Sequence, residues 1–559
     1  MSVNDIQSLF VFIGGLGMFL YGMHIMADGM QKTAGSKMSH FLGMLTNNRF
    51  LAVGLGALIT AIIQSSGATT VMVVGFVNAG ILNLAQAVGV IMGANIGTTI
   101  TSWIVSMNQL GDAFEMMKPA FFAPVLIGIG AFLLLFSKKQ NKVTIGEILI
   151  GLGLLFIGLE FMSDSIAGYT DAPIFADAFR FLGGNPILGM IIGAVVTALL
   201  QSSSASVGIL QTLAMNGVVT TNAAIYITLG QNIGSCVTAM ISSAGANRTA
   251  KRAAVIHMSF NVIGAILFGV FMFAVFAVNQ RLAASEISSV QISIFHTIFN
   301  ITNTIVLFPF ANYLVKLSGL LVKERPEEEK ERREEDDTQE AMRHLDERIF
   351  ESPSFAIDAA ALEVVHMGQL AYENVNRALD AVFHPSEDQI KTVVKVENQI
   401  DIMEKVLTEY LIKVNNLSLS EKQKLVVNNL FYSISDIERV GDHAENISEC
   451  ARFMIEHGVE FSKTGAEDLH TIADVVLDSF SHAISARQTG SLTDVRRVAQ
   501  DEDEVDTLEE ELREKHIERL SHGQCSAETG VVFLDLVTNL ERVSDHALNL
   551  AGYIKDELS

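Results

Sequence analysis

The stretch GALITAIIQSS, residues Gly56 to Ser66, recurs 137 positions later as GAVVTALLQSS, residues Gly193 to Ser203. Both copies are apolar until they reach the polar cluster QSS. In each copy the asparagine of an NIG motif follows the glutamine of QSS by 31 positions: GANIGTT begins at Gly93, and GQNIGSC begins at Gly230. The same two polar motifs, QSS and NIG, therefore occur twice in the same order within apolar sequence.

A third repeated block precedes these two. LGMFLYGMHIMAD, from Leu16 to Asp28, aligns with LGLLFIGLEFMSD, from Leu152 to Asp164, at a shift of 136. Three blocks that recur in one order indicate an internal duplication of the N-terminal part of the chain.

Charge divides the chain into two parts. Through Leu320 there are 13 Lys and Arg against 10 Asp and Glu, whereas the remaining residues hold 25 against 52. We therefore expect a membrane-embedded first part and a soluble, acidic second part. An acidic part of this size argues against nucleic acid and anionic membrane surfaces as partners. The three cysteines show no spacing typical of a disulfide framework or a thiolate metal site.

Hydropathy predicts seven spans of about 20 residues, the length that a bilayer requires. They lie near 8–27, 86–107, 119–137, 147–163, 223–243, 252–278 and 290–318. The run after Met1 lacks a basic start, so we predict a first span and not a cleaved signal.

The stretches 51–82 and 188–218 are apolar and glycine-rich, but QSS interrupts each. We predict re-entrant hairpins of two half-helices there, because irregular backbone at membrane depth needs protein or water around it. The alternative is that one half of each hairpin spans fully.

Loop charges predict the orientation. Seven spans with two re-entrant hairpins place three basic groups on one side and the acidic loops on the other. The basic residues are Lys32, Lys37, Arg49, Lys138, Lys139, Lys142, Arg248, Lys251 and Arg252; the acidic ones are Asp112, Glu115, Asp164, Asp171 and Asp177. The basic side is predicted to be cytoplasmic. With three full spans per repeat the second repeat enters upside down, as in secondary transporters. We therefore predict an all-α, polytopic membrane domain (1–320) of two inverted repeats, about 10–140 and 147–285, with an extra span at 290–318.

The two polar clusters offer neutral oxygen atoms and no basic side chain at mid-membrane. Hydroxyls, amides and freed carbonyls suit Na⁺, whereas half-helix N-termini suit an oxyanion. Small polar residues also serve simple helix packing in membranes, and Thr60 and Thr197 fit that role equally well. Two copies in register favour a binding site. The candidate substrate and Na⁺ ligands are Gln64, Ser65, Ser66, Thr69, Asn95, Thr98, Gln201, Ser202, Ser203, Ser204, Ser206, Asn232, Ser235 and Thr238.

The paired QSS motifs, each followed by G-x-NIG, resemble the type II sodium/phosphate cotransporter family over roughly residues 10–320. The resemblance implies Na⁺-coupled movement of inorganic phosphate, with both QSS regions forming the substrate and sodium sites. It carries over to Gln64, Ser65 and Ser66, and to Gln201, Ser202, Ser203 and Ser204. The first motif reads QSSG where the second reads QSSS, so Gly67 removes one hydroxyl.

A charged linker, assigned to 321–350 and containing KERPEEEKERREEDD from Lys323, is too polar to pack. Helical periodicity follows, with six helices predicted near 355–383, 386–415, 419–456, 464–488, 490–520 and 525–556. This part (351–559) is also duplicated at a shift of 103 to 105, and both copies contain ERV(G/S)DHA. We therefore predict two three-helix bundles.

Each bundle carries two E-x-x-x-D pairs, whose spacing places both carboxylates on one helix face. They are Glu397 with Asp401, Glu438 with Asp442, Glu502 with Asp506, and Glu541 with Asp545. Such a pair is usually solvated surface, but its repetition, with matched Arg439/Arg542 and His443/His546, favours a metal site. Oxygen ligands suit Mg²⁺, Mn²⁺ or iron. The tail resembles the PhoU domain over roughly 350–555, which implies metal binding through these motifs and regulation of phosphate uptake.

The leading hypothesis is a Na⁺-coupled phosphate symporter of the plasma membrane, multi-pass, with a cytoplasmic regulatory tail. Two other functions stay open: a membrane-anchored phosphate sensor, and a Na⁺-coupled transporter of another small oxyanion. An enzyme is not expected, because no nucleophile–base motif, P-loop or zinc signature occurs. The predicted partners are phosphate, sodium and the bilayer, with a regulatory protein or a second copy as further partners of the tail.

Overall fold

The structure, a computed structural model, describes residues 3–34, 48–109, 119–167, 169, 173–323 and 345–558. Regular structure in these residues is helical, apart from one isolated bridge between Thr220 and Glu286. The all-α class is confirmed. The predicted loop charges Lys37, Asp112, Glu115 and Asp171, and residues 324–344 of the predicted linker, lie outside the described residues. The chain forms two compact units, 1–330 with Asp346–Ser354, and 331–345 with Phe355–Ser559.

The first unit contains α1 (Val3–Ala34), α2 (Arg49–Ile63), α3 (Ser66–Asn78), α4 (Leu84–Ser106), α5 (Pro119–Phe136), α6 (Gln140–Ala167), α7 (Pro173–Gly184), α8 (Pro186–Leu200), α9 (Ser203–Met215), α10 (Thr221–Gly234), α11 (Cys236–Ser242), α12 (Arg248–Val278), α13 (Gln280–Ala284), α14 (Ser289–Leu307) and α15 (Ala311–Leu321). Seven of its described segments are long and apolar enough to cross a membrane: Asp5–Thr33, Leu84–Gln109, Pro119–Phe136, Gln140–Ala167, Thr221–Ser242, Arg248–Val278 and Ser289–Leu321. These segments coincide with the seven predicted spans.

The chain folds back where QSS interrupts each apolar stretch. In a continuous helix, residues nine positions apart would lie about 13.5 Å apart along the axis. The hydroxyls of Thr60 and Thr69 instead lie 3.1 Å apart, and those of Thr197 and Ser206 lie 2.8 Å apart. Thr60 and Thr197 therefore hold the two halves of each interruption together. We call α2 with α3 the first hairpin, and α8 with α9 the second hairpin.

The equivalent helices α1 and α6 cross through glycines. A Cβ on Gly15 would lie 2.8 Å from the Gly158 carbonyl oxygen, and one on Gly22 would lie 2.5 Å from that of Gly151. Because the earlier glycine of one helix meets the later glycine of the other, the two helices run antiparallel. Gly15 and Gly151 are equivalent in the duplication, as are Gly22 and Gly158, so the contact is reciprocal, as it is around a two-fold axis.

The second unit contains the six predicted helices: α16 (Pro353–Phe383), α17 (Glu387–Asn415), α18 (Glu421–His457), α19 (Lys463–Thr489), α20 (Leu492–Ser521) and α21 (Ala527–Leu558). Serine side chains cap the N-termini of several of them; Ser386, Ser420 and Ser462 each accept a backbone hydrogen bond. Glycines in the left-handed region, Gly458 and Gly490, end α18 and α19.

The packing divides the chain at a different place from the sequence. The sequence assigned 321–350 to a linker and 351–559 to the tail, whereas Asp346–Ser354 packs with the first unit. A 3-10 helix, Glu347–Glu351, forms the middle of this segment. We refer to Asp346–Ser354 below as the docked segment.

Candidate functional site

The two hairpins meet at a cavity of about 320 Å³. That volume holds on the order of ten water molecules, enough for a small oxyanion with its counterions. Eight of the predicted site residues line it: Gln64, Ser65, Gln201, Ser202, Ser203, Ser204, Ser235 and Thr238. Both QSS motifs and the residues just after the second NIG motif therefore contribute to one cavity.

The backbone at each interruption explains why the polar cluster is there. Gln64 (φ 56°) and Gln201 (φ 49°) are the only non-glycine residues of the described chain with positive φ. Each ends the first helix of its hairpin in the left-handed region. The serines that follow, Ser65 and Ser202, cap the next helix by accepting a hydrogen bond from the backbone N–H of Ala68 and Ala205, respectively.

Each interruption places opposite helix ends side by side. The C-terminus of α2 and the N-terminus of α3 lie within three residues of one another, and α8 and α9 repeat this arrangement. The first residues of α3 and α9 approach each other, since the hydroxyl oxygens of Ser66 and Ser203 lie 3.4 Å apart. Because helix N-termini favour anions and C-termini favour cations, one cavity offers partial charges for both kinds of ion.

The matched glutamines have different surroundings. Gln64 is buried, its Oε1 accepts a hydrogen bond from Thr101 at 3.0 Å, and its Nε2 donates to the carbonyl oxygen of Ala61. Gln201 is exposed to the cavity and makes no side-chain hydrogen bond with the described residues. Thr238, the residue equivalent to Thr101, lines the cavity instead. Only one of the two amides is therefore free to meet a ligand in this conformation.

Six predicted site residues do not line the cavity: Ser66, Thr69, Asn95, Thr98, Ser206 and Asn232. Asn95 and Thr98 are buried and donate to carbonyls of their own helix, four residues before each. Thr69 and Ser206 hold the hairpins together, as described above. In this structure these four side chains make hydrogen bonds within or between helices, as helix-packing residues also do.

Asn232 belongs to a polar contact between two helices, α10 and α14. Its Oδ1 lies 3.3 Å from His296 Nε2 and 3.3 Å from Asn300 Nδ2, both on α14. All three side chains are buried. The NIG motif of the second repeat thus connects α10 to α14 and contributes to the cavity only through Ser235.

Titratable side chains of the cavity were not among the predicted site residues. His24 and Asp28 of α1 line it, 3.7 Å apart, and so does Glu351 of the docked segment. Asp28 lies in the repeated block LGMFLYGMHIMAD, which could have indicated it. Nothing near Glu351 in the sequence points to the cavity. The described lining includes no lysine or arginine.

Carboxylates face each other in both bundles of the second unit. The pKa of Glu397 on α17 is raised to about 7, first by burial and then by repulsion from Asp401 on its own helix and from Glu445 and Asp442 on α18. Burial and then Asp506 likewise raise the pKa of Glu502, with further repulsion from α21. Among the described residues, however, no three potential ligands are placed to hold a metal ion together.

The matched histidines of the second unit join its two bundles. His546 Nδ1 lies 2.7 Å from the Asp436 carboxylate, and His443 Nδ1 lies 2.8 Å from Asn539 Oδ1. Asp436 and Asn539 occupy equivalent positions, 103 residues apart. The contact is therefore reciprocal, and the histidines are engaged with the opposite bundle and not with the E-x-x-x-D pairs.

Comparison with known proteins covers both parts of the chain. The family model described as Na⁺/Pi-cotransporter matches residues 18–164 and 173–300, and the PhoU domain model matches 364–451 and 469–554. YjbB of Escherichia coli, described as a candidate inorganic phosphate export protein, is 26% identical over 98% of this chain and 97% of its own length. Human sodium-dependent phosphate transport protein 2B is 34% identical over 21% of this chain and 17% of its own. The crystal structure of PhoU from Pseudomonas aeruginosa matches 37% of this chain and 98% of its own at 21% identity, with a TM-score of 0.35.

Proposed function

Since the membrane part of this chain belongs to the Na⁺/Pi-cotransporter family and its C-terminal part carries PhoU domains, we propose that the protein couples Na⁺ movement to transport of inorganic phosphate. The cavity between the two hairpins is the proposed site for phosphate and its sodium ions. The membrane part is proposed to be a pair of inverted repeats whose hairpins are re-entrant. The antiparallel, reciprocal contact of the equivalent helices α1 and α6 supports this topology.

The observation that carries the proposal is the meeting of two half-helix N-termini at one cavity. Ser66 and Ser203 begin α3 and α9, and their hydroxyls lie 3.4 Å apart. Unpaired N–H groups at two helix starts form a site for an oxyanion. The serine hydroxyls and the carbonyls at the ends of α2 and α8 supply oxygen ligands that suit Na⁺.

Electrostatics gives the reason for coupling. Asp28 and Glu351 line the cavity, and its described lining has no lysine or arginine. A phosphate anion entering a partly desolvated site without a positive partner is strongly disfavoured. Sodium ions bound beside it supply the missing charge, so the anion and its cations bind together and move together.

Flux of radioactive phosphate into proteoliposomes, with and without an inward Na⁺ gradient, tests this proposal. We expect uptake that requires Na⁺ and stops when the gradient is collapsed by an ionophore. Choline in place of Na⁺ is the matched control for ionic strength. Equal flux in both salts would exclude coupling, and phosphate binding without flux would favour a membrane-anchored sensor. Competition by sulfate or arsenate in the same assay would reveal a different oxyanion substrate.

Export is a second candidate direction. The similarity to YjbB extends over nearly the whole length of both chains. Binding to the cavity is reversible, so net flow follows the gradients of both ions. Expression in phosphate-loaded cells, with efflux measured at high and low external Na⁺, tests export directly. Efflux that is unaffected by expression at either Na⁺ concentration would argue against it.

We propose that the protein resides in the plasma membrane with the second unit in the cytoplasm as a regulatory domain. Lys316 lies near the end of the last apolar segment, Ser289–Leu321, and Lys323 follows it, which supports this orientation. The facing carboxylates of the two bundles supply oxygen ligands for Mg²⁺, Mn²⁺ or iron after small side-chain movements. A bound ion would neutralise their mutual repulsion and tie the helices together. A regulatory protein or a second copy of the chain is the proposed partner of this unit.

A further inference from the structure

The docked segment is held to the first unit by specific polar contacts. Asn78, at the end of the first hairpin, donates from Nδ2 to Asp346 Oδ2 at 2.7 Å. Arg348 donates from Nε to the carbonyl oxygen of Ser242 at 2.9 Å, and from Nη1 to Asp346 at 2.7 Å. The segment therefore spans two parts of the membrane unit, the end of α3 and the end of α11.

Packing supports the same position. Ile349 is fully buried, and Ser352 is 1% exposed. A Cβ on Gly75 of α3 would lie 3.0 Å from the Cβ of Arg348 and 3.4 Å from Cγ1 of Ile349, so the backbones approach closely. A segment that only linked two domains would not need a buried isoleucine, an arginine with two hydrogen-bonded guanidinium nitrogens, or a glycine on the neighbouring helix that permits close approach.

The contact brings a carboxylate to the transport cavity. Glu351, the last residue of the 3-10 helix, lines the cavity together with both QSS motifs. The Glu351 side chain is exposed to the cavity. The protein around it partly removes its carboxyl group from water, and this burial raises the pKa of that group. When ionised, it adds a negative charge to a cavity that already contains Asp28, and so acts against an entering phosphate.

We propose that the docked segment Asp346–Ser354 is an inhibitory gate of the phosphate cavity: while docked, it holds the Glu351 carboxylate at the cavity and lowers phosphate entry. This inference rests on the proposed transport function. The segment ends in the first turn of α16, the helix that runs on into the second unit. A movement of α16 would therefore pull the segment, which gives the regulatory unit a covalent means to open the cavity.

The test uses the full-length protein in proteoliposomes at a fixed Na⁺ gradient, with initial phosphate flux measured against phosphate concentration. E351Q removes the charge and keeps the docking contacts, whereas R348A removes the hydrogen bond to Ser242 that holds the segment and the ion pair to Asp346 within it. E160Q removes an exposed carboxylate of α6 that lies outside the docked segment and does not line the cavity, and it is the control. We expect E351Q to lower the half-saturating phosphate concentration by at least about twofold, R348A to raise maximal flux, and E160Q to match the wild type.

The outcomes are distinguishable. Absence of Na⁺-dependent flux in the wild type, with all variants folded, refutes the proposed function itself. Wild-type flux with unchanged E351Q and R348A overturns the gate alone. A raised half-saturating Na⁺ concentration in E351Q, without a gain for phosphate, would also overturn it, because Glu351 would then be a sodium ligand.

Discussion

Gln64 and Gln201 occupy matched positions with the same backbone conformation. A left-handed conformation costs a non-glycine residue roughly 1–2 kcal/mol, and the chain accepts that cost twice. Glycine would remove the strain, so the side-chain amide must contribute something that glycine lacks. The two amides also differ: Thr101 engages Gln64, whereas Gln201 faces the cavity. Conformational strain of this kind concentrates at functional sites.

Replacement of either glutamine by leucine is expected to reduce Na⁺-dependent flux at least tenfold. Leucine keeps the size of the side chain but removes the amide that bonds Thr101 at one site and faces the ligand at the other. Flux in proteoliposomes is the measurement, and the thermal midpoint of the detergent-solubilised protein shows whether the variant folds. Leu58, exposed on α2, gives a matched control as L58Q. Normal flux in both Q64L and Q201L would contradict the assignment.

Phosphate is expected to bind only weakly in the absence of Na⁺. Two carboxylates and no lysine or arginine belong to the described cavity lining, so the partial charges of the helix N-termini alone face the charge of the anion. Isothermal calorimetry in choline and then in sodium buffer measures the difference, for which we expect at least a hundredfold change in affinity. Tight binding in choline buffer would mean that a basic side chain reaches the site from elsewhere in the chain.

Only some of the hydroxyls predicted for the site line the cavity. The reason lies in the backbone geometry next to Gln64. Ser65 and Thr69 both follow Gln64 closely, but one caps α3 at the cavity and the other faces the partner helix. The direction in which α3 leaves the left-handed residue Gln64 determines which of these side chains faces the cavity. A cluster of polar residues in a sequence does not contain that information. Both QSS motifs, by contrast, line the one cavity, which agrees with the site that the family resemblance implies.

The carboxylates on the neighbouring helices α17 and α18 repel one another. The pKa of Glu397 is about 7, above its usual value near 4.3. A raised carboxyl pKa contributes stability that is present below the unfolded pKa and is lost as the pH rises through 7. The second unit is therefore expected to lose stability from this group as the pH rises from about 4.3 to about 7. A divalent cation bound to the cluster would offset that loss.

Thermal unfolding of the fragment 355–559 with and without Mn²⁺ tests this expectation. Mn²⁺ should raise the thermal midpoint more at pH 8 than at pH 5, because the carboxylates bind the metal only when ionised. E397Q should raise the metal-free midpoint at pH 8 and reduce the response to Mn²⁺. E409Q, at an exposed position of the same helix, is the control. An equal response to Mn²⁺ in E397Q and the wild type would exclude Glu397 as a ligand.

The contact between the bundles predicts a second pH effect, of opposite sign. Burial lowers the pKa of His443, which lies against the neutral Asn539. The unfolded chain then takes up the proton more readily, so the free energy of unfolding falls as the pH drops below about 6.5. N539D places a carboxylate there, as Asp436 is placed against His546, and should reduce this loss.

Midpoints of the fragment 355–559 between pH 8 and pH 5 measure the effect. N398D makes the same change at an exposed position of α17 and should leave the pH profile of the wild type in place. If N539D and the wild type lose stability in parallel, protonation of His443 is not the cause. The sequence matches the two histidines, but it could not show that each lies against the opposite bundle, because the distance between the bundles is a tertiary property.

For the whole molecule, local periodicity predicted the spans and the six tail helices, but it could not predict the docked segment. Apolar runs of about 20 residues and repeats of 3.6-residue period are visible in any window of sequence. The docked segment is short and follows a charged linker, and its few apolar residues show no period. Its partners, Asn78 and Ser242, lie more than 100 positions away. Only the packing of distant residues reveals that Asp346–Ser354 belongs with the membrane unit.

Two truncations separate the roles of the tail and the docked segment. A stop after Lys323 removes both, whereas a stop after Ser354 keeps the docked segment and removes the second unit. We expect both shortened proteins to carry phosphate with Na⁺, because the cavity lining before Lys323 is intact in each. The shorter one should be faster, since it lacks Glu351, and the longer one should be slow and unresponsive to metal or phosphate status. The measurement is the initial phosphate flux of each shortened protein in proteoliposomes that contain equal amounts of folded protein. If both proteins insert and fold but carry no phosphate, the second unit is part of the transport machinery, and the assignment of transport to the first unit alone is wrong.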